Sequence, residues 1–319
     1  MTAVTNLYAI LAFVLIALFL TPVTVVSNAV PATVVAAPGQ AAETATPIPE
    51  SGFAHPDLLV DADWLVRHLH DPGLKVVALT AVSNFENGHI PGAAQINWTD
   101  LGLADTTDPA IAKWQGAMEQ TLTRLGIAPS DTVVIYDDGT LYAPRLWWIL
   151  DQLGHKDKRI LNGGLDAWTQ AGGALEKGAS NVQPATSPYK ATPNTAAIAT
   201  LDEVKADLDN PNVILVDART PAEYVAGHIP GAINIPFTDN AVSGKPKVWK
   251  SAADLRAMYE AVGVTPDKTV IPYCSTGVRS AATYFTLVLL GYPHVSLYTG
   301  SWDEWSKHPD LPTTIGKKP

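Results

Sequence analysis

The chain has 319 residues, 47% of them hydrophobic and 16% charged, with a formal net charge of -10. That length exceeds one ordinary hydrophobic core and favours two domains of about 100 to 150 residues each. The acidic balance excludes a protein that grips nucleic acid by its backbone, and the single cysteine, Cys274, excludes an intramolecular disulfide.

In chain order, the first element is an uncharged apolar run at residues 7–20 (LYAILAFVLIALFL), with no Lys or Arg before Arg67. The run has the length of a signal-peptide core, and Ser27, Asn28 and Ala29 are small enough to precede a cleavage site. Extended through Val26, the same stretch reaches the roughly 20 residues that span a bilayer. Residues 1–29 are therefore expected to be a signal peptide or membrane anchor. This places the folded part in the periplasm or on the extracytoplasmic side of a membrane, reached by export or held by a membrane tether. Residues 30–54, rich in Ala, Pro and Thr, are expected to form a flexible linker.

An internal repeat organises the rest of the chain. Residues 88–93 (GHIPGA) recur at 227–232, residues 125–136 (LGIAPSDTVVIY) align with 262–273 (VGVTPDKTVIPY), and residues 161–168 (LNGGLDAW) align with 298–305 (YTGSWDEW). Three matched blocks in one order predict two copies of one domain, at 55–175 and 195–312, joined by a linker at 176–194. Within the second copy, residues 213–216 and 270–271 read as strands without polar alternation, as expected when helices cover both faces of a parallel sheet. Residues 255–262 and 279–290 read as helices, the second stopped by Gly291 and Pro293. The fold class is α/β, with each copy a mainly parallel sheet between helices.

Cys274 follows the strand at 270–271 and precedes a helix, and its counterpart in the first copy is Asp137. A structural thiol would more readily give way to Ala or Val than to a carboxylate. The carboxyl end of a parallel strand is where such sheets build their sites. Backbone N–H groups of Ser275, Thr276, Gly277, Val278 and Arg279, the helix dipole and the Arg279 charge together favour a thiolate that acts as a nucleophile. The same N–H groups suit an anionic product such as a persulfide.

Residues 217–237 (DARTPAEYVAGHIPGAINIPF), the Cys274 loop and residues 297–305 (LYTGSWDEW) resemble the catalytic half of a two-domain rhodanese, a sulfurtransferase. Residues 143–148 (APRLWW) with 161–168 resemble its non-catalytic half, in which an acidic residue also replaces the cysteine. The resemblance covers about residues 55–312. It implies two tandem rhodanese-like domains and a double displacement in which Cys274 takes a sulfane sulfur from a small anionic donor and passes it to cyanide or another thiophilic acceptor. By the same resemblance, residues 274–279 form the persulfide cradle and Arg219 helps to bind the donor. An ion pair of Arg219 with Asp217 or Glu223 is the competing reading.

Members that use 3-mercaptopyruvate resemble one another in a second arginine before the GHIPGA block, whereas here residues 220–226 contain none. Thiosulfate is accordingly the expected donor and 3-mercaptopyruvate the alternative. No organic cofactor is implied, because the sulfur rides on Cys274, and no CxxC pair or His and carboxylate cluster suggests a metal. His89 and His228 occur in both copies, one of which lacks the thiol, so they are expected to be structural. Two rival functions are a phosphatase and a non-catalytic binding module. Only four residues separate Cys274 from Arg279, against the five of cysteine phosphatases, and the module reading leaves the retained Cys274, Gly277 and Arg279 without a purpose.

Overall fold

The structure is a computed structural model that describes residues 52–319; the N-terminal apolar run and most of the expected linker lie outside the described residues. The first half runs β1 (Leu59–Val60), α1 (Ala62–His68), β2 (Leu74–Leu79), α2 (Val82–Asn87), β3 (Ala94–Ile96), α3 (Asp108–Arg124), β4 (Thr132–Tyr136), α4 (Ala143–Gln152), β5 (Lys158–Leu161) and α5 (Gly164–Gln170). The second half repeats that order: β6 (Ile198–Ala199), α6 (Leu201–Ala206), β7 (Val213–Asp217), α7 (Pro221–Ala226), β8 (Ile233–Asn234), α8 (Ala252–Glu260), β9 (Thr269–Tyr273), α9 (Ser280–Leu289), β10 (Leu297–Tyr298) and α10 (Ser301–Trp305).

All pairings between named strands are parallel. The first sheet has the order β1-β5-β4-β2-β3. In the second half β8-β7-β9 and β10-β6 follow the same order, joined by a bridge between Val270 and Val295. Val133, Val134, Ile135 and Tyr136 of β4 are all buried, as are residues 270–273 of β9, because helices cover both faces of these central strands. Helix α9 stops as its sequence suggests: Gly291 adopts φ 87°, and the Tyr292 N–H reaches back to the Leu287 carbonyl.

The halves share a core. Trp147 of α4 packs edge-on against Phe285 of α9 with ring centroids 5.0 Å apart, and Trp249 meets the same ring at 5.2 Å. At one flank of this seam the Tyr284 hydroxyl donates to Asp151 at 2.8 Å. A segment of the second half straps onto the first, where Lys247 Nζ donates to the Gly139 carbonyl at 2.8 Å and the Trp249 N–H donates to Asn162 at 3.0 Å.

The segment 176–194 connects the halves and is bonded down along its length. Glu176 pairs with His89, the Ala191 N–H donates to Glu119, and Tyr189 is buried beside His155. Residues 52–54 lie against the second half: Arg256 donates to the Gly52 carbonyl at 2.9 Å, and the Ala54 N–H donates to the Leu289 carbonyl at 3.1 Å. Both histidines of the repeated turn are buried, with Nδ1 2.8 Å from the carbonyl four residues earlier and the ring stacked on Phe85 or Tyr224.

Candidate active site

Strand β9 delivers Cys274 to the carboxyl edge of the second sheet, with no exposed surface. Its backbone is pinned by the turn that opens α10. The Cys274 N–H donates to Ser301 Oγ at 3.1 Å, and the Cys274 carbonyl accepts from the Trp302 N–H at 3.0 Å. Ser301 holds φ 58°, uncommon for a residue with a side chain, and its hydroxyl donates onward to the Tyr298 carbonyl at 2.8 Å.

Beyond Cys274 the chain turns sharply at Gly277, where φ is 81°. A Cβ there would meet Thr299 Oγ1 at 2.7 Å and the Thr299 carbonyl at 2.8 Å, so both conformation and space require glycine. Among the described residues, the N–H groups of Ser275, Thr276, Gly277, Val278 and Arg279 have no protein acceptor. They are available to an anion at the mouth of the helix.

The first half shows what such a loop does with a charge of its own. Asp137, at the position of Cys274, folds its carboxylate into its own loop: Oδ1 accepts from the N–H groups of Gly139 at 2.9 Å and Thr140 at 3.1 Å, and Oδ2 from Ala143 at 2.8 Å. Burial pushes the Asp137 carboxyl up, against these three hydrogen bonds.

The predicted site residues sort into three groups. Thr276 and Val278 face a cleft of about 210 Å³ between the halves, whose opposite wall is formed by Trp98, Leu103 and Ala104 of the first half. Ser275 and Arg279 turn instead to Glu223, which Arg279 grips through both nitrogens at 2.7 and 2.8 Å while also donating to Ser275 Oγ at 2.8 Å. The positive charge that the sequence places at the loop is thus paired with a carboxylate, and it also acts on the Cys274 sulfur. Arg219 goes to neither group. It is buried, paired with Asp217 at 2.6 Å, bonded to the Gly227 carbonyl at 2.7 Å and stacked 4.8 Å from the Trp302 ring centroid. Burial works against its charge, and Asp217 outweighs burial to hold its pKa above the ordinary arginine value.

Glu223 closes the capping box of α7 and is held by Arg279 first and Thr220 next, so its carboxyl falls from an ordinary 4.5 to about 2. Its folded value lies below its unfolded one. The stability from this pair is therefore complete above pH 4.5 and lost as pH falls through about 2. Because the carboxylate is 38% exposed, screening keeps that contribution small, about 1 kcal/mol or less. Acid unfolding curves of the wild type and Glu223→Gln should converge at the low end of that window and separate above it; parallel curves would refute the assignment.

Sequence reasoning missed Arg145, on α4 of the first half, although it sits inside the APRLWW motif. Its side chain crosses between the halves to hydrogen-bond the Gly277 carbonyl at 3.3 Å and Thr299 Oγ1 at 3.0 Å. It also missed Asp303, which lines the cleft, while among the described residues no Lys or Arg does.

Known proteins resemble this chain over both halves. The Rhodanese-like domain family matches residues 61–171 and 200–308. The chain is 36% identical over 290 residues to the sulfur carrier protein TtuD of Thermus thermophilus, covering 84% of this chain and 100% of the relative. It is 35% identical over 274 residues to a thiosulfate sulfurtransferase of Pseudomonas aeruginosa, with 83% and 100% covered. A 3-mercaptopyruvate sulfurtransferase of Escherichia coli is 31% identical, with 79% and 96% covered. Among solved structures, the anaerobic ergothioneine biosynthesis enzyme of Chlorobium limicola superposes with a TM-score of 0.72 at 27% identity, over 82% of this chain and 71% of that one. With a family match over both halves and relatives covered end to end, the chain belongs to the two-domain rhodanese family and is a sulfurtransferase.

Proposed function

We propose that Cys274 carries a sulfane sulfur as a persulfide from thiosulfate to a thiophilic acceptor, with cyanide as the simplest case. The Cys274 thiolate attacks the outer sulfur of thiosulfate. A Cys274–S–S⁻ bond forms, the bond to the sulfonate sulfur breaks, and sulfite leaves with the electron pair. Cyanide then attacks the terminal sulfur, forms thiocyanate and returns the thiolate, so atoms and charge balance without a redox partner. The observation that carries this reading is the Cys274 loop: its N–H groups lack acceptors among the described residues, while the same loop in the first half is filled by the Asp137 carboxylate. Ser275, Thr276, Gly277, Val278 and Arg279 supply that cradle, and Arg219 shapes it from behind through Asp217 and Trp302.

Thiosulfate is favoured over 3-mercaptopyruvate because no second arginine lies at residues 220–226 and Arg219 is committed to Asp217. Thiocyanate formation with each donor tests this, and turnover only with 3-mercaptopyruvate would overturn the donor assignment. The cleft chemistry adds a sharper expectation. Asp303 repels an incoming dianion, so Asp303→Lys should lower the KM for thiosulfate by about three- to tenfold with kcat little changed. A KM that does not move would show that donors bypass this cleft.

The apolar run at residues 7–20 supports export or anchoring, which would place this chemistry on the extracytoplasmic side. Cell fractionation with N-terminal sequencing of the mature protein decides the point, and an intact N-terminus in the cytosolic fraction would sink it.

A further inference from the structure

Three arginines surround the Cys274 loop, and two of them have carboxylates: Arg279 holds Glu223 and Arg219 holds Asp217. Arg145 has none. It has no exposed surface, its charge is opposed by burial, and among the described residues no carboxylate pairs with it. Its Nη2 donates to the Leu101 carbonyl at 2.6 Å and its Nη1 to Thr299 Oγ1 and the Gly277 carbonyl, while Nε has no acceptor among the described residues. The Trp148 ring lies 4.7 Å from the guanidinium carbon. A buried cation held only by neutral groups is unfavourable unless an anion faces it.

The one group whose charge supports Arg145 against burial is the Cys274 sulfur on the other half. The bond to Gly277 has a directional effect as well. In a trans peptide the carbonyl and the following N–H point opposite ways, so anchoring the Gly277 carbonyl on Arg145 turns the Val278 N–H away from Arg145.

We propose that Arg145 is a positioning residue of the sulfurtransferase site, supplying from the first domain a second, buried counter-charge for the anionic sulfur on Cys274 and fixing the Gly277 turn of its cradle. The proposal rests on Cys274 as the sulfur carrier. It gives the half without a nucleophile a defined part in the chemistry: it adds a buried charge, paired with no carboxylate among the described residues, to the one that Arg279 brings to Cys274 from the second half.

The test uses Arg145→Lys, Arg145→Gln and Arg145→Met in the full chain, with thermal melts to establish folding. The rate of Cys274 alkylation by iodoacetamide is followed from mildly acid to alkaline pH, and persulfide formation with thiosulfate by mass. Loss of the charge should slow both reactions near neutrality by about tenfold in the Gln and Met variants, with alkylation restored at alkaline pH and the Lys variant close to wild type. A purely structural role would not move the pH dependence. An unchanged pH profile in a folded neutral variant overturns the proposal, as does an Arg145→Lys protein as slow as the neutral ones.

If the neutral variants fail to fold, the reciprocal exchange decides. Cys274→Asp should melt above Cys274→Asn near neutrality, because only the former leaves an anion opposite Arg145, and an equal or reversed order overturns the proposal. Persulfide formation on the wild type reads the parent assignment separately: its failure removes the sulfur carrier itself, whereas normal loading with Arg145-independent kinetics removes only the role of Arg145.

Discussion

Cys274→Ala is expected to reduce thiocyanate formation by a factor on the order of 10⁴ or more, to the level of the uncatalysed reaction, while leaving the fold intact. The thiol is buried in a loop pinned through its backbone by Ser301 and Trp302, and those bonds do not depend on the side chain. Steady-state assay with thiosulfate and cyanide, beside a thermal melt, separates loss of the nucleophile from loss of structure. Residual turnover within about a hundredfold of wild type would mean that another group carries the sulfur, since no other thiol exists in the chain.

The largest loss of stability is expected from Trp147→Ala, at about 3–5 kcal/mol. Trp147 is fully buried on α4, meets Phe285 edge-on at 5.0 Å, lies 4.8 Å from Lys158 Nζ and donates its ring N–H to the Lys158 carbonyl at 3.0 Å. Removing it leaves a cavity in the core that both halves share and strips the Lys158 carbonyl of its donor. Because α4 also carries Arg145, catalytic efficiency should fall along with stability. A denaturant titration that moved the midpoint by less than about 1 kcal/mol would show that the α4–α9 seam is not where the halves are held.

The repeat and the cysteine loop were legible because local chemistry forces them. A turn that needs Gly92 and Gly231 at φ 73° and 79°, a histidine bonded to the carbonyl four residues earlier and a helix stopped at Gly291 leave marks within a few residues of themselves. The relation of Asp137 to Cys274 could be read for the same reason, since matched strand ends align without a structure. What stayed hidden joins distant parts of the chain. Arg145 reaches Gly277 across 132 residues, and no periodicity in α4 distinguishes it from a core-facing position. Arg279 reads as free charge until Glu223, 56 residues earlier, is seen to hold it. Arg219 sits two residues from Asp217 and could be weighed either way; its burial and its bond to the Gly227 carbonyl depend on how β7 and α7 pack.

The Asp137 loop has a consequence for the thermodynamics of the whole chain. Its carboxylate is a ligand that cannot dissociate, because it is part of the polypeptide, so the first half is saturated at all times. Under the proposed mechanism the second half is saturated only while it carries sulfur. Binding that favours the folded state raises its stability in proportion to occupancy. The melting temperature of the enzyme should therefore track the ratio of donor to acceptor around it, making heat resistance a readout of sulfur supply.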